Sequence, residues 1–341
     1  MKSRVQIGSH VIGPGNPVFV IAEAGSNHNQ NLTKARKLVE IAAQAGTDAV
    51  KFQTFTAEKL VARSESLPDG TNLCELFSRY ELPHEWHREL RDLACSVGIE
   101  FLSSPFDFEA VDLLDSLGVA AFKVASGDLD NLPLLAHIAS KRRPIVLSTG
   151  MGTLSEVGRA LETIAGKGCD EVILMHCVSR YPSPPDAMNL RAIDTLRQAF
   201  RIPVGLSDHT LGSQIPVAAT ALGIDILEKH FTDDRQQSGL DHSYSLEPDE
   251  LTEMVHAVRT VEKALGTGEK VCQAVESETR YYARRSLFAT RKIPKGKKIE
   301  RSDIIIIRPQ RGIQPAYLDF VLGRPAQRTI EAGEPITWDA I

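Results

Sequence analysis

From Val18 to about Leu265 one theme recurs: a short apolar, β-branched run, a polar turn, then a stretch with helical spacing. The strand candidates are Val18 to Ala24, Ala49 to Thr54, Glu100 to Ser104, Ala121 to Ser126, Pro144 to Thr149, Val172 to Val178, Pro203 to Ser207 and Ile226 to Phe231. Between them, Leu32, Ala35, Leu38, Val39 and Ala42 follow the i, i+3, i+4, i+7 rule, as do Leu251, Met254, Val255 and Val258. Eight alternations of this kind predict an α/β chain folded as a (β/α)8 TIM barrel. The competing doubly wound sheet lacks a Gly-x-Gly-x-x-Gly after the first strand, and the count of eight favours closure. In a barrel, function gathers at the carboxyl ends of the strands.

The 341 residues exceed one ordinary domain, and 42% hydrophobic content supplies a sizeable core. The barrel is expected over 1–265. A polar stretch with little periodicity, 266–285, reads as a linker. The remainder, 286–341, carries short β-prone pieces such as Ile304-Ile305-Ile306-Ile307 and turn signals such as Glu331-Ala332-Gly333. So small a module gains from docking on something larger.

A formal charge of −5 gives no reason to expect nucleic acid, which needs a concentrated basic surface. An anionic substrate must therefore meet a local cluster of cations. The five cysteines, Cys74, Cys95, Cys169, Cys177 and Cys272, are odd in number and show no Cys-x-x-Cys spacing, so a reducing cytoplasm is expected rather than a disulfide framework or zinc ribbon. The first residues lack an apolar core, and no segment approaches the ~20 apolar residues of a membrane span.

The strand ends are unusually polar. They carry Glu23 and His28, Lys51 and Gln53, Ser103 and Ser104, Lys123, Ser126 and Asp128, Ser148 and Thr149, His176, Ser179 and Tyr181, Ser207 and His209, then Lys229 and His230. A lysine in a core strand needs a counter-charge. Lys51 and Lys123 either pair with carboxylates such as Glu23 or Asp128 in a structural network, or await an anion. Ser126, Ser148 and Ser207 on neighbouring strands favour the anion, since hydroxyl and ammonium groups are the donors that phosphate and carboxylate accept. His209 and His230, on consecutive strands, suit a divalent metal, with Glu23 or Asp241 available as oxygen ligand or base. The alternative is two satisfied histidines at the barrel mouth. His28 is expected to shape the first loop and His176 to be buried beside Cys177. Tyr181-Pro182-Ser183-Pro184-Pro185 makes a stiff loop that either holds Tyr181 over a ligand or is a plain connection.

The ordered motifs Ile21-Ala22-Glu23-Ala24-Gly25-x-Asn27-His28, Val50-Lys51-Phe52-Gln53-Thr54, Phe122-Lys123-Val124-Ala125-Ser126-Gly127-Asp128, His176-Cys177-Val178-Ser179-Arg180-Tyr181-Pro182, Gly205-Leu206-Ser207-Asp208-His209-Thr210 and Glu228-Lys229-His230-Phe231-Thr232 resemble those of the sialic acid synthase family. Ala283-Arg284-Arg285-Ser286 and Arg308-Pro309 make the tail similar to that family's antifreeze-like (SAF) domain. The resemblance implies condensation of phosphoenolpyruvate with an N-acyl amino-sugar aldehyde, giving a nonulosonic acid and phosphate. By position it implies phosphate held by Lys123, Ser126, Ser148 and Ser207, and carboxylate held by Lys51 and Ser104. It further implies Mn²⁺ or Mg²⁺ on His209 and His230, sugar contacts from Gln53, Tyr181, Asp128, Ser179 and Asp241, and Glu23 as the base for water. It also implies a homodimer that exchanges its small domains, so that Arg308 enters the partner's site.

This chain departs from that pattern at Asp128, where glutamate is frequent, at Ser104 for threonine, and at Ser179 for asparagine. A shorter acid at Asp128 points to a sugar other than N-acetylmannosamine, and Arg311 rivals Arg308. Two other readings stand beside the synthase: a sugar-binding or regulatory homologue without turnover, and another phosphoenolpyruvate-dependent aldol synthase. The latter, if its sugar were phosphorylated, needs a further basic cluster that the sequence does not show.

Overall fold

A computed structural model describes residues 1–341. The chain divides into two units, Met1–Gly266 and Thr267–Ile341.

The first unit opens with a hairpin, β1 (Val5–Ile7) and β2 (His10–Ile12), which the sequence reading missed. Eight parallel strands follow: β3 (Phe19–Glu23), β4 (Ala49–Thr54), β5 (Glu100–Pro105), β6 (Phe122–Val124), β7 (Ile145–Ser148), β8 (Val172–His176), β9 (Val204–Asp208) and β10 (Ile226–His230). Their spatial order, β5-β4-β3-β10-β9-β8-β7-β6, is the sequential order of a TIM barrel closed through β10 and β3. At β5–β6 the strands are neighbours without a hydrogen-bonded ladder.

Side chains alternate between the two faces of each strand. Val20, Val50, Leu147, Leu174 and Leu227 point outward into one cluster with the helices. There the helix Leu32–Gln44 buries Ala35, Leu38, Val39 and Ala42, and the helix Pro248–Leu265 buries Leu251, Met254, Val255 and Val258. Phe19, Ile21, Ala49, Leu102, Val146, Ile173 and Ile226 point inward and form a second cluster with Val5, Ile7 and Ile12 of the hairpin. A two-stranded hairpin is marginal by itself. Burying each of these three apolar side chains contributes on the order of 1.5–3 kcal/mol, so the hairpin is held as a plug in the amino end of the barrel.

Two residues further along six of the strands, the same inward face turns polar. Ile21 is followed by Glu23, Ala49 by Lys51, Leu102 by Ser104, Ala121 by Lys123, Val146 by Ser148, and Ile226 by Glu228 and His230. Close approach of β9 and β10 requires glycine at 205, where a Cβ would lie 1.9 Å from Ile226 O.

In the second unit, the stretch expected to be a linker carries a short helix, Ser277–Ala283, with no buried residue. A hairpin of β11 (Ser286–Ala289) and β12 (Ile304–Ile307) follows. Leu287, Ile293, Ile299, Ile304, Ile313, Ile330 and Ile336 form its core. Asp303 is wholly buried there, accepting from Lys297 Nζ at 2.8 Å, Arg291 Nε at 2.6 Å and the Glu300 amide at 3.0 Å. No helix is long and apolar enough to cross a membrane.

Candidate active site

The inward polar residues meet at the carboxyl ends of the strands. Lys51 Nζ lies 2.8 Å from Glu23 Oε2 and 3.7 Å from Glu228 Oε2. Lys123 Nζ lies 3.6 Å from Glu228 Oε1. All four side chains are buried. Glu23 is thus a carboxylate partner, as expected for Lys51, but Asp128 is not the partner of Lys123. That place belongs to Glu228, which the sequence reading carried only as a letter of a motif. Its position two residues before His230 on one strand was the available signal, since i and i+2 share a face.

Burial raises both carboxyl pKa values, and the lysines decide between them. Glu228 lies between both ammonium groups and is held at about 2 despite its burial. Glu23, buried and repelled by Glu228 while facing Lys51, is pushed up to about 7. Burial depresses both lysines; for Lys51 the attraction of Glu228 and Glu23 overcomes it and the pKa rises, whereas for Lys123 burial prevails. Glu228 is ionised throughout the neutral range, whereas Glu23 is about half ionised near pH 7, and each proton it takes up leaves the cluster one charge more positive toward an anion.

A hydroxyl has one proton to give. Ser104 Oγ accepts from Lys51 Nζ at 3.3 Å and Ser148 Oγ from Lys123 Nζ at 2.7 Å, so both keep their protons for a ligand. Ser126 Oγ, in a 3-10 turn just after β6, accepts from the Gly150 amide at 3.1 Å. Ser207 differs, because its hydroxyl donates to Glu228 Oε1 at 3.0 Å. Gln53 Nε2 donates to Glu23 Oε1 at 3.0 Å. Ser179 Oγ is buried without a hydrogen-bond partner.

Beside this cluster the rings of His209 and His230 lie 5.4 Å apart. Burial holds both at about 4, so both are neutral near pH 7. His209 Nδ1 lies 3.0 Å from Val178 O, a contact that places the proton on Nδ1 and leaves Nε2 as a lone pair. His230 Nδ1 is buried with no partner. Tyr181 lies over His209 at 4.3 Å between ring centroids, and Tyr244 meets the edge of His230 at 5.2 Å. Tyr244 was not foreseen. Its hydroxyl donates to Asp241 Oδ1, while the Ser26 amide donates to Asp241 Oδ2 at 3.0 Å. Gly25, at φ 49°, makes room for this: a Cβ there would lie 2.4 Å from Asp241 Oδ2.

Residues 38–270 match the NeuB family model, and residues 284–341 match the SAF domain model. The chain belongs to the NeuB family. It is 40% identical to N,N'-diacetyllegionaminic acid synthase of Legionella pneumophila over 96% of each chain. Among solved structures it is similar to spore coat polysaccharide biosynthesis protein spsE from Bacillus subtilis, at 38% identity and a TM-score of 0.69 over 99% of each chain. It is also similar to the N-acetylneuraminic acid (sialic acid) synthetase of Leptospira borgpetersenii, at 36% identity and a TM-score of 0.75 over 82% of this chain and 95% of that one.

Within this NeuB barrel some polar residues stand apart from the cluster. Asp128 is tied to its own turn by Asn131 Nδ2 at 3.0 Å, and burial raises its pKa. Lys229 points out of the barrel and is paired with buried Asp208, so it is no part of the mouth. His28 shapes the first loop, its Nδ1 accepting from the Gln30 amide at 3.1 Å. His176 is half-buried, with Nε2 2.7 Å from Met188 O. Arg308 and Arg311 belong to the SAF unit, and both are exposed.

Proposed function

We propose that this chain condenses phosphoenolpyruvate with an N-acyl amino-sugar aldehyde, forming a nonulosonic acid and releasing phosphate. The observation that carries the reading is the buried Lys51–Glu228–Lys123 cluster beside two neutral imidazoles at one end of a barrel. The names of relatives, among them legionaminic and sialic acid synthases, support it.

In this proposal Lys123, with Ser126 and Ser148, holds the phosphate, and Lys51 with Ser104 holds the carboxylate. Ser207 acts through Glu228, since its proton is already committed. Gln53, Asp128, Ser179, Tyr181 and Asp241 face the sugar. C3 of the enol attacks the sugar aldehyde carbon, whose C=O electron pair moves to oxygen and takes up a proton there, leaving positive charge at C2 that ionised Glu228 stabilises. Glu23, once deprotonated, takes a proton from the water that adds to C2. Phosphate then leaves with cleavage of its bond to C2.

His209 and His230 suit a metal as two neutral nitrogen donors, one with an unpartnered buried nitrogen. No third His, Cys, Asp or Glu closes a cage around them, so water or substrate oxygen would complete the ligand set, as in an open catalytic site. Imidazole favours first-row transition ions over Mg²⁺, which keeps to oxygen, making Mn²⁺ the better match of the expected pair. When bound, the ion supplies a Lewis acid that polarises the sugar aldehyde.

We also propose a domain-exchanged homodimer in which Arg308 serves the partner's barrel. The exposed arm, with Val271, Val275 and Tyr282 uncovered, supports it. A fully active species of monomer mass in solution overturns it. Five unpaired cysteines support a reducing, cytoplasmic setting.

The decisive experiment incubates the protein with Mn²⁺, phosphoenolpyruvate labelled with ¹⁸O in the bridging position, and a panel of 2-acylamino hexoses. Labelled phosphate with one of these sugars is expected. Absence of phosphate release with all of them rejects the synthase reading in favour of a homologue without turnover.

A further inference from the structure

Ser126 differs from the other serines at the barrel mouth in having two close partners for one hydroxyl. The Gly150 amide donates to its Oγ at 3.1 Å, and the buried Cys177 Sγ lies 3.0 Å from the same oxygen. A hydroxyl carries one proton and two lone pairs. The amide can only donate, so it takes one lone pair. If the Ser126 proton points at sulfur, nothing is left for a ligand, and an anion at the mouth meets a bare lone pair. If the thiol donates instead, both lone pairs are filled and the Ser126 proton turns to the mouth.

We infer that Cys177 is a positioning residue whose S–H donates to Ser126 Oγ and thereby commits the serine proton to the anionic substrate. The inference rests on the proposed role of Ser126 as a phosphate donor.

Two other serines at the mouth follow the same logic. Ser104 and Ser148 have a lone pair filled by a buried lysine, which leaves their protons available. No lysine reaches Ser126, and a backbone amide with a thiol takes that place. Cys177 lies one residue beyond β8, on the inward parity of Ile173 and Met175, which directs its sulfur to the mouth. The crowding is tight enough to require glycine at 150. A Cβ there would lie 2.8 Å from Ser126 Oγ, 2.9 Å from Cys177 Sγ and 2.4 Å from the unpartnered Ser179 Oγ.

The test is a double-mutant cycle on the KM for phosphoenolpyruvate in the Mn²⁺-loaded full-length protein, with the thermal midpoint of each variant as a check on folding. C177A is expected to raise this KM about 5-fold, the usual worth of one neutral hydrogen bond, with kcat little changed. C177S is expected to restore it, because a hydroxyl donates as a thiol does. In an S126A background C177A should add nothing, since its effect passes through that serine. Additive effects, or a KM unmoved by C177A where S126A raises it, overturn the inference and leave the anion site standing. A KM unmoved by S126A removes both.

Discussion

Lys51 and Glu23, drawn from adjacent strands, form a 2.8 Å ion pair with both side chains buried at the carboxyl end of the barrel. A carboxyl placed there both balances an ammonium and competes with any anion that the ammonium is to bind. Removing its charge without its shape separates the two effects. Glu23→Gln is expected to lower kcat on the order of 10²–10⁴-fold, the range of general-base catalysis, while phosphoenolpyruvate binds no more weakly. Steady-state kinetics with a direct binding titration check this, and an unchanged kcat removes Glu23 as the base.

Because burial pushes Glu23 up to about 7, its ionised fraction grows as pH rises through that value. A base must be ionised, so kcat should increase between about pH 6 and 8 and then level off. Anion affinity should run the opposite way, since ionised Glu23 cancels positive charge at the site. A pH profile of kcat that is flat across this window contradicts the assignment, and Glu23→Gln should abolish the rise.

Both imidazoles are neutral above about pH 5, as metal ligands must be. His209→Ala is expected to weaken Mn²⁺ binding by about 100-fold or more, given that loss of an outer-shell partner alone costs about 10–100-fold. Calorimetric titration of the metal in the absence of substrate measures this. Equal affinity in the variant moves the metal elsewhere.

Gly25 combines a positive φ of 49° with the approach of Asp241. Gly25→Ala should cost about 1–2 kcal/mol from backbone strain alone. Displacement of Asp241 should also raise the KM for the sugar more than that for phosphoenolpyruvate. Equal changes in both would show that Asp241 does not face the sugar.

In the SAF unit, Asp303 is held at about 2 by Lys297, the Glu300 amide and Arg291, against burial, below the ~3.9 of an unfolded chain. A depressed carboxyl pKa gives stability that is present above the unfolded value and lost as pH falls from about 4 towards 2. Asp303→Asn should remove this dependence and cost about 1–3 kcal/mol at neutral pH. Trp338 fluorescence in a Trp86→Phe background reports it, because these are the two tryptophans of the chain.

The eight strands were legible because each is a short run built on apolar residues with polar residues in or just after its last positions, and Ala49–Thr54 appears with the bounds expected. The lysines and histidines were legible as costly residues in core strands. Which charge faces which was not. Glu228 reaches both Lys51 and Lys123 because of how β4, β6 and β10 stand around the barrel, and sequence spacing along one strand does not contain that relation. Lys229 looked like its neighbours until the one-residue parity of β10 turned it outward to Asp208. Tyr244 ends a 3-10 turn beyond β10 and meets His230 only through the fold. The hairpin was missed because two three-residue strands are too short to show a period.

Val5, Ile7 and Ile12 stop the amino end of the barrel, which gives the reaction a single doorway. Lys51 and Lys123 lie at the back of that room, each 3% exposed, and Tyr181 stands at the threshold, 51% exposed. On the proposed function, phosphoenolpyruvate is therefore expected to enter before the sugar, and the sugar acid to leave before phosphate. Product-inhibition patterns of a random mechanism would show a second way in.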